Sequence, residues 1–497
     1  MYNLKDMKNL RGIERETLRL KRNGAFTQSK HPQGLGHKLT NDSITTDFSE
    51  NLLEFITKPE ASVDKAIESL DKLSSFTMQN MADDEIVLNT SMPLKVSENE
   101  IKEADFGSSN SGMMKQTYRK GLSARYGKIM QVISGIHYNF SIDENLVAQK
   151  SKELGLTKSA VYFGVVNNYF EYMWLLPYLF GASPICAKST VENKPSYLDD
   201  LDDEFYIGKY ATSLRMSDLG YTSPAQSDLY ISYNDVSSYV ADLINATNEK
   251  FSDYTKLGLY NGDERIQLNE SILQIENEYY SPIRPKQVAK RCERPACALI
   301  NRGVEYIEVR VLDVNPFVPN GIDKSTALFL EAMLMTCFMN DFNKYSKEAI
   351  SKAKANLTTV AVDGRNPKLE LKTLTGESVL LQDYATTLLS RIEPVAEKMG
   401  DEYVAAVELQ KSKIADISKT PSAQLVQLAK AKGYKNAVLE ISQQVSDNFR
   451  ATELDNDFIS KQKELAQKSF EAEKELVAND NITLAEYIDN YYKSMCI

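Results

Sequence analysis

Short runs that alternate between apolar and polar residues are the feature that most constrains this fold. In the run MQVISGIHYNF, Ile136 and Phe140 fall on one side of an extended chain, while His137 and Asn139 fall on the other. A period of two residues is typical of a β-strand with one buried face. The polar face here carries side chains that can bind ligands, so the pattern predicts a sheet with a specialised surface.

Three further runs carry charge in the same way. YIEVRVL places Glu308 and Arg310 on one face, GIERETL does the same with Glu14 and Glu16, and LLEFIT carries Glu54 among apolar neighbours. Polar faces of antiparallel sheets often contact water, and Glu308 with Arg310 could form an exposed ion pair. That interpretation fits Glu54 badly, because an unpaired carboxylate is costly to bury.

The run ILQIENEYY also alternates, with Gln274, Glu276, Glu278 and Tyr280 opposite its apolar residues. For this run we expect the polar face of a strand that contacts water.

The predicted secondary structure changes near residue 320, from mixed strands and helices to mostly helices. We expect an α+β catalytic body over residues 1–320 and a mostly helical region over 321–497. Apolar residues recur at helical spacing in STALFLEAMLMTCFMNDF, YATTLLSRIEPVAEKM and DFISKQKELAQKSFEAEKELVAN. Because no linker separates the two parts, we expect them to pack together as one domain.

Composition narrows the function. The 58 Lys and Arg against 69 Asp and Glu give a net charge of −11, which argues against a nucleic-acid partner. The N-terminus lacks the apolar stretch of a signal peptide, and no run is long enough to span a membrane. Five cysteines cannot form a disulfide framework in 497 residues. We therefore expect a reduced, cytoplasmic protein with no membrane partner.

The carboxylates indicate a chemistry if they converge. Five like charges on one concave face, those of Glu14, Glu16, Asp47, Glu54 and Glu308, require cations to stay ionised together. Hard oxygen ligands favour Mg²⁺ or Mn²⁺ over zinc, and the chain has only three histidines. Divalent cations beside an arginine suit phosphoryl transfer from a nucleotide, although the chain has no GxxxxGK[ST] loop.

Long and idiosyncratic motifs then identify a family. Between Gly12 and Phe317 the chain closely resembles the gamma-proteobacterial type of glutamate–cysteine ligase, within the glutamine synthetase-like superfamily. The resemblance is carried by GIERETLRL, HPQGLGHKLTNDSITTDFSENLLEFIT, TYRKGLSARYGKIMQVISGIHYNF, PYLFGASP, YATSLRMSDLGYT, LQIENEYYSPIRPK and GVEYIEVRVLDVNPF.

This resemblance implies a fold and an activity. The fold would be a curved, mostly antiparallel sheet that forms a funnel-shaped active site surrounded by helices. The activity would be ATP-dependent ligation of the γ-carboxylate of L-glutamate to the amine of L-cysteine, through a γ-glutamyl phosphate, as the first step of glutathione biosynthesis. Mg²⁺, with Mn²⁺ as a substitute, would be the cofactor, and glutathione would inhibit by feedback.

The resemblance also implies roles for individual residues. Glu308 and Arg310 would be catalytic, with Arg310 on the γ-phosphate of ATP. The metal ligands would be Glu14, Glu16, Asp47, Glu54, Glu308 and His137. Arg215 would contact an amino-acid substrate, and His137 would lie near the metals and substrate. The cysteine pocket would be lined by Tyr118, Leu122, Tyr221 and Tyr280.

Several points stay open at this stage. Arg119, Arg125 and Arg284 could bind phosphate or form ion pairs, and we expect Cys292 and Cys297 to be ordinary thiols. A ligase that joins glutamate to another amine, such as 2-aminobutyrate, and a catalytically silent relative are the alternatives. The intact carboxylates argue against the silent relative, and the length argues against a fused glutathione synthetase module.

Overall fold

The predicted strands form one antiparallel sheet at the centre of the molecule. The computed structural model describes residues 2–220, 223–290, 293–494 and 496. The strands are β1 (Leu10–Lys21), β2 (Ile44–Thr46), β3 (Leu52–Ile56), β4 (Glu85–Val87), β5 (Ile136–Ser141), β6 (Ile185–Ala187), β7 (Leu198–Asp200), β8 (Phe205–Gly208), β9 (Tyr260–Asn261), β10 (Glu264–Arg265), β11 (Ile283–Lys286), β12 (Tyr306–Leu312), β13 (Glu370–Lys372) and β14 (Ser378–Leu380). The main sheet has the order β11-β12-β5-β1-β3-β2, with β4 paired to β1.

Helices surround this sheet and make up most of the chain beyond it. They are α1 (Val63–Asn80), α2 (Asn110–Tyr126), α3 (Glu144–Leu154), α4 (Lys158–Tyr172), α5 (Leu175–Phe180), α6 (Pro224–Ser227), α7 (Val236–Asn248), α8 (Ser252–Leu257), α9 (Pro295–Arg302), α10 (Lys324–Met339), α11 (Lys347–Asp363), α12 (Leu381–Met399), α13 (Asp401–Ala415), α14 (Pro421–Lys432), α15 (Tyr434–Ala451), α16 (Asn456–Asn479) and α17 (Leu484–Lys493). The three helical runs of the sequence are confirmed as α10, α12 and α16. No described helix combines the length and apolar character that a membrane crossing requires.

The register of the sheet places the charged residues side by side. Glu16 on β1 lies directly opposite Glu54 on β3, and Glu14 lies opposite His137 on β5. On the next strand pair, Glu308 of β12 is opposite Asn139 of β5. Residues directly opposite each other in an antiparallel pair have side chains on the same face. The pairing therefore collects these side chains on one surface.

The opposite face of the sheet packs against helices. Ile13, Tyr138 and Val309 are fully buried there. Helix α10 is buried over most of its length because α4, α12 and α13 all pack against it, and its buried residues are mostly apolar. Its start is fixed by Asp323, whose side chain accepts a hydrogen bond from the Thr326 N–H.

The C-terminal helices contact the body at several places. Helix α15 packs against α1 and β4, and α17 packs against α2. The boundary near residue 320 itself stays a prediction.

Cys297 of α9 forms a disulfide with Cys496, across a Cα–Cα distance of 4.7 Å. The interpretation of Cys297 as an ordinary thiol, and of the chain as fully reduced, is therefore wrong in this structure, because folding brings together two residues 199 positions apart. Cys292 lies outside the described residues.

One strand prediction is also wrong. Residues 272–280 form irregular structure with a 3₁₀ turn at Glu276–Glu278, and the side chains of Gln274, Glu276 and Glu278 are buried. Glu276 pairs with Arg294 at 2.7 Å, and Glu278 pairs with Arg125 at 3.3 Å. Both pairs are buried, so the alternation of this run reflects internal ion pairing rather than a solvated strand face.

Candidate active site

The polar face of the sheet forms the floor of a cleft with a volume of about 310 Å³. Ten of the twelve residues for which the sequence predicts a binding or catalytic role line it. They are Glu14, Glu16, Asp47, Glu54, Tyr118, Leu122, His137, Tyr280, Glu308 and Arg310. These residues come from β1, β3, β5, β12, α2 and two loops, so only the tertiary fold brings them together. Their individual roles in binding stay predictions.

Glu14, His137 and Glu308 form a cluster near the centre of the cleft. Each offers one ligand atom, and these atoms all lie within 4.8 Å of one another. Glu14 contacts His137 Nδ1 at 3.1 Å and accepts a hydrogen bond from Asn139 Nδ2 at 2.8 Å. Burial opposes ionisation of Glu14, but the hydrogen bond with His137 and the nearby positive charge, including that of Lys286, together lower its pKa.

Glu308 is surrounded by cations. Its carboxylate lies 3.1 Å from Arg310, 3.3 Å from Lys286 and 3.6 Å from Arg284. Burial alone would raise the pKa of Glu308, yet the three positive charges hold it well below its usual range. Glu308 is only 1% exposed, so the interpretation of Glu308 and Arg310 as a surface ion pair is wrong.

A second acidic group lies beside the first, on β1, β3 and the residue after β2. Burial and the charge of Asp47 raise the pKa of Glu16 to about 8. Burial and the charges of Asp47, Glu14 and Glu16 raise the pKa of Glu54 well above its usual range. These carboxylates oppose one another's ionisation, which is the condition that a bound cation relieves.

The donor set fits a divalent cation. The Nε2 atom of His137 is buried and, among the described residues, has no hydrogen-bond partner. Burial and the nearby Arg310 lower the pKa of His137, which keeps the imidazole neutral and available as a ligand. Carboxylate oxygens supplemented by one imidazole suit Mg²⁺ or Mn²⁺ better than zinc.

Arg215 lies behind the cleft rather than in its wall. Its guanidinium is fully buried, donates to the Arg310 carbonyl at 3.1 Å and lies 4.0 Å from Asp313. Gly135 makes this position possible, because a Cβ there would lie 2.0 Å from Arg215 Nη2. The same glycine donates its N–H to Glu16 at 2.7 Å. One glycine thus contacts both the Glu16 carboxylate and the buried arginine.

The remaining predicted substrate residues form one side of the cleft. Tyr118 and Leu122 come from α2, and the Tyr280 hydroxyl accepts a hydrogen bond from Gln131 Nε2 at 3.4 Å. Tyr221 lies outside the described residues. Two neighbouring tyrosine rings and a leucine provide an apolar surface with polar edges, which suits a small side chain.

The three undecided arginines separate into two groups. Arg119 and Arg284 line the cleft, whereas Arg125 is buried in its ion pair with Glu278 and is structural. Sequence reasoning missed Lys115 and Lys286, which also line the cleft. Lys286 lies two residues after Arg284 on the same strand, so the two side chains share a face. This spacing could have identified Lys286 from the sequence.

Comparisons with known proteins agree with this geometry. Residues 3–360 match the family profile described as glutamate-cysteine ligase. A glutamate–cysteine ligase of Pseudomonas putida strain KT2440 is 42% identical over 487 residues, covering 95% of this chain and 92% of that protein. One of Pseudomonas fluorescens strain Pf0-1 is 40% identical over 500 residues, covering 98% and 94%.

Solved structures extend the comparison to the fold. The crystal structure of the Francisella tularensis glutamate–cysteine ligase in complex with AMP is 64% identical, with a TM-score of 0.98 over 99% of both chains. A bifunctional glutathione synthetase from Pasteurella multocida shares the fold at 24% identity and a TM-score of 0.70, covering 98% of this chain and 56% of that one. The family profile, the similar sequences and the matching structure establish that this chain belongs to the glutamate–cysteine ligase family.

Proposed function

We propose that the acidic cleft carries out the reaction of this family. As a glutamate–cysteine ligase, the chain uses ATP to join the γ-carboxylate of L-glutamate to the amine of L-cysteine, in the pathway to glutathione. The observation that carries the assignment to this cleft is the convergence of two acidic groups with Arg310 on one face of the sheet. We propose that the sheet curves around this face as the wall of a funnel.

Divalent cations are part of this proposal. Glu14, His137 and Glu308 would hold one, and Glu16, Asp47 and Glu54 would hold others. When bound, Mg²⁺ or Mn²⁺ supplies positive charge that offsets the repulsion between the carboxylates and a triphosphate. The raised pKa values of Glu16 and Glu54 support a site that is completed by cations.

The position of the nucleotide follows from the cations of the protein. Arg310, Lys286 and Arg284 line the cleft beside Glu308 and would contact the phosphates. A neighbouring cavity of about 240 Å³ shares Asn277, Arg284 and Lys286 with the cleft, and the rest of its wall includes apolar side chains such as Leu299 together with Glu276 and Gln287. We propose that the adenine base lies in this cavity. Its apolar wall suits a flat base, and its charged edge leads to the phosphates.

The chemistry then needs two steps. A γ-carboxylate oxygen of glutamate attacks the γ-phosphorus of ATP, which forms γ-glutamyl phosphate and releases ADP. The amine of cysteine attacks the acyl carbon, phosphate leaves, and the amine loses a proton to give the amide. Arg310 would bind the charge that develops on the transferred phosphoryl group. Arg215, close behind the cleft, would bind a substrate carboxylate.

Regulation and location are also proposals. Glutathione contains the γ-glutamylcysteine unit that the cleft would form, so we propose that it inhibits by competing with glutamate. Inhibition that stays unchanged at saturating glutamate would contradict a shared site. We propose a cytoplasmic location because the substrates ATP and glutamate are abundant there.

The defining experiment measures ADP and phosphate release with L-glutamate, with and without L-cysteine. We expect release to require Mg²⁺ or Mn²⁺, to stop on addition of EDTA, and to rise strongly with L-cysteine. 2-Aminobutyrate and other amines distinguish a cysteine ligase from a ligase for another amine. No release under any combination would support the catalytically silent relative instead.

A further inference from the structure

Strand β12 contains a bulge at Arg310. The register between β12 and β5 shifts between Val309 and Leu312. Two residues of β12, Arg310 and Val311, therefore lie opposite a single residue of β5, His137. A β-bulge bends its strand, changes the direction of a side chain and interrupts the hydrogen bonds of the ladder. The direction of the Arg310 side chain thus depends on the contacts that hold this bulge.

On the other side of β12, a proline removes one of those contacts. The Arg310 N–H donates to the Pro282 carbonyl at 3.1 Å, next to the pair of Ile283 with Val309. Such a pair in an antiparallel ladder exchanges two hydrogen bonds, and the second would run from residue 282 to the Arg310 carbonyl. Proline has no N–H, so this donor is missing. Arg215 takes its place, because its Nη2 donates to the Arg310 carbonyl at 3.1 Å.

A buried carboxylate faces the guanidinium of Arg215. It belongs to Asp313, the residue after β12, and lies 4.0 Å from Arg215 Nη1. Asp313 accepts hydrogen bonds from the hydroxyls of Ser183 and Ser213, at 2.6 and 2.9 Å. Ser213 also caps the 3₁₀ turn Leu214–Met216, which carries Arg215. One carboxylate therefore connects the end of β12 to the turn that supplies the substitute donor.

Asp313 and Arg310 lie at opposite ends of this connection. Asp313 is 3% exposed and lies outside the described wall of the acidic cleft. The Arg310 side chain lines the cleft, where its Nη1 donates to Glu308 at 3.1 Å. The connection thus runs from a buried charge, through the Arg215 guanidinium, to the backbone of a residue that reaches the reaction centre.

We propose that Asp313 is a positioning residue for the phosphoryl-transfer step. It holds the Arg215 guanidinium at the Arg310 carbonyl, and that hydrogen bond fixes the bulge from which the Arg310 side chain reaches the phosphoryl group. The inference rests on the proposed function, which gives Arg310 this role. An arginine stabilises developing charge only if it is already in place, so a displacement of about 1 Å lowers the rate more than it weakens ATP binding.

Steady-state kinetics of Asp313→Asn test the proposal. Saturating glutamate separates the effect on Arg310 from the proposed contact of Arg215 with a substrate carboxylate. We expect kcat to fall roughly 10- to 100-fold and the KM for ATP to stay within about twofold. Asp143→Asn is the matched control, since Asp143 is also buried and accepts a backbone hydrogen bond, from Lys8 at 2.7 Å. The control should lower the melting temperature but leave kcat unchanged.

A double-mutant cycle with Arg310 distinguishes positioning from a loss of stability. In the Arg310→Ala background, Asp313→Asn should lower kcat by no more than about twofold, because effects that act through one residue are not additive. Pro282→Ala gives a second readout, since it restores an N–H opposite the Arg310 carbonyl. Combined with Asp313→Asn, it should give a higher kcat than Asp313→Asn alone.

Three results would overturn the proposal. They are a kcat of folded Asp313→Asn close to that of the unmodified protein, the same loss of kcat in both backgrounds, and no recovery on addition of Pro282→Ala. Should Asp313→Asn not fold, Ser213→Ala keeps the carboxylate and removes one of its donors. It should lower kcat several-fold, but not in the Arg310→Ala background, and an unchanged kcat in both backgrounds would overturn the proposal. Failure of the proposed function is distinct, because the unmodified protein would then release no ADP with glutamate and L-cysteine.

Discussion

The two faces of strand β1 hold buried charges in opposite conditions. On the face toward the helices, Arg11 makes two hydrogen bonds of 2.8 and 3.0 Å with Glu331 of α10. On the face toward the cleft, Glu16 accepts one backbone hydrogen bond, from Gly135, while burial and the charge of Asp47 raise its pKa to about 8. One strand therefore carries an ion-paired arginine on one side and, on the other, a carboxyl group whose ionisation is opposed by burial and by Asp47.

The difference separates stability from function. Glu331 also accepts hydrogen bonds from the hydroxyls of Tyr138 and Tyr403, at 2.7 and 2.9 Å. All these partners of the buried Glu331 carboxylate are groups of the protein itself. Its removal should therefore lower the free energy of unfolding. The carboxylates of the cleft repel one another and need something from outside the chain, so their removal should affect binding.

Removal of Arg310 should give the largest effect on the cleft side. We expect Arg310→Ala to lower kcat by roughly 10³ or more while raising the KM for ATP much less, because its charge is needed during phosphoryl transfer. Arg310→Lys should rescue little, since a point charge does not reproduce the planar guanidinium. Glu308→Gln should raise the Mg²⁺ requirement, and added metal should recover part of its activity.

A matched control for this experiment is Arg302→Ala. Arg302 forms an ion pair with Glu293 at the surface, and exposed ion pairs contribute little to stability. Steady-state kinetics across a Mg²⁺ titration compare the variants. A near-normal kcat for Arg310→Ala would remove Arg310 from the mechanism.

The next largest effect tests the two faces against each other. Glu331→Gln leaves Arg11 without a carboxylate and should cost roughly 3 kcal/mol of unfolding free energy, with little change in KM for any substrate. Glu16→Gln relieves repulsion from Asp47, so we expect no loss of stability in EDTA together with a large loss of activity. Urea unfolding and kinetics on the same preparations measure both. Equal destabilisation by the two substitutions would contradict the claim that one face of β1 serves stability and the other serves binding.

The pH dependence of stability sharpens the comparison further. The pKa of Glu16 rises from 4.5 to about 8 on folding, so the folded state holds an extra proton between these values. Its stabilising contribution is fully present below pH 4.5 and is lost as the pH rises through about 8. In EDTA we therefore expect the urea midpoint to fall between pH 4.5 and about 8, and Mg²⁺ to oppose this fall by about 2.7 kcal/mol at 100 times its Kd.

Glu16→Gln supplies the control for this pH series, because the amide does not titrate. It should reduce the fall in EDTA by the share that belongs to Glu16, while Glu54, whose pKa is also raised, keeps its own share. A fall of the same size in the variant would assign the pH dependence to other groups.

The smallest expected effect concerns the disulfide of the helical region. Cys496→Ser, or reduction with dithiothreitol, removes the bond to Cys297 but leaves α17 attached to the body. Tyr491 still donates to Glu276 at 3.0 Å, and Tyr492 to the Gln274 carbonyl at 2.6 Å. We therefore expect kcat and all KM values to stay within about twofold. A larger loss of activity on reduction would connect this part of the helical region to catalysis.

The sequence by itself determined the repeating elements and most of the chemistry. Strict alternation around His137 and Glu308 predicted strands β5 and β12, and helical spacing predicted α10, α12 and α16. These patterns are local, because the period of a buried face is set by the geometry of the element itself. The family motifs then identified the cleft carboxylates and Arg310 as predicted site residues. This was possible because each of these residues lies within a short, recognisable motif.

Only the tertiary structure decided which charges are neutralised within the chain. The pairing of Glu276 with Arg294, the pairing of Glu278 with Arg125 and the enclosure of Arg215 all depend on contacts between distant segments. Alternation looks the same in ILQIENEYY as in a true strand, because sequence spacing carries no information on the partner across the fold. The free energy of a buried charge depends on that partner, and the partner is chosen by packing.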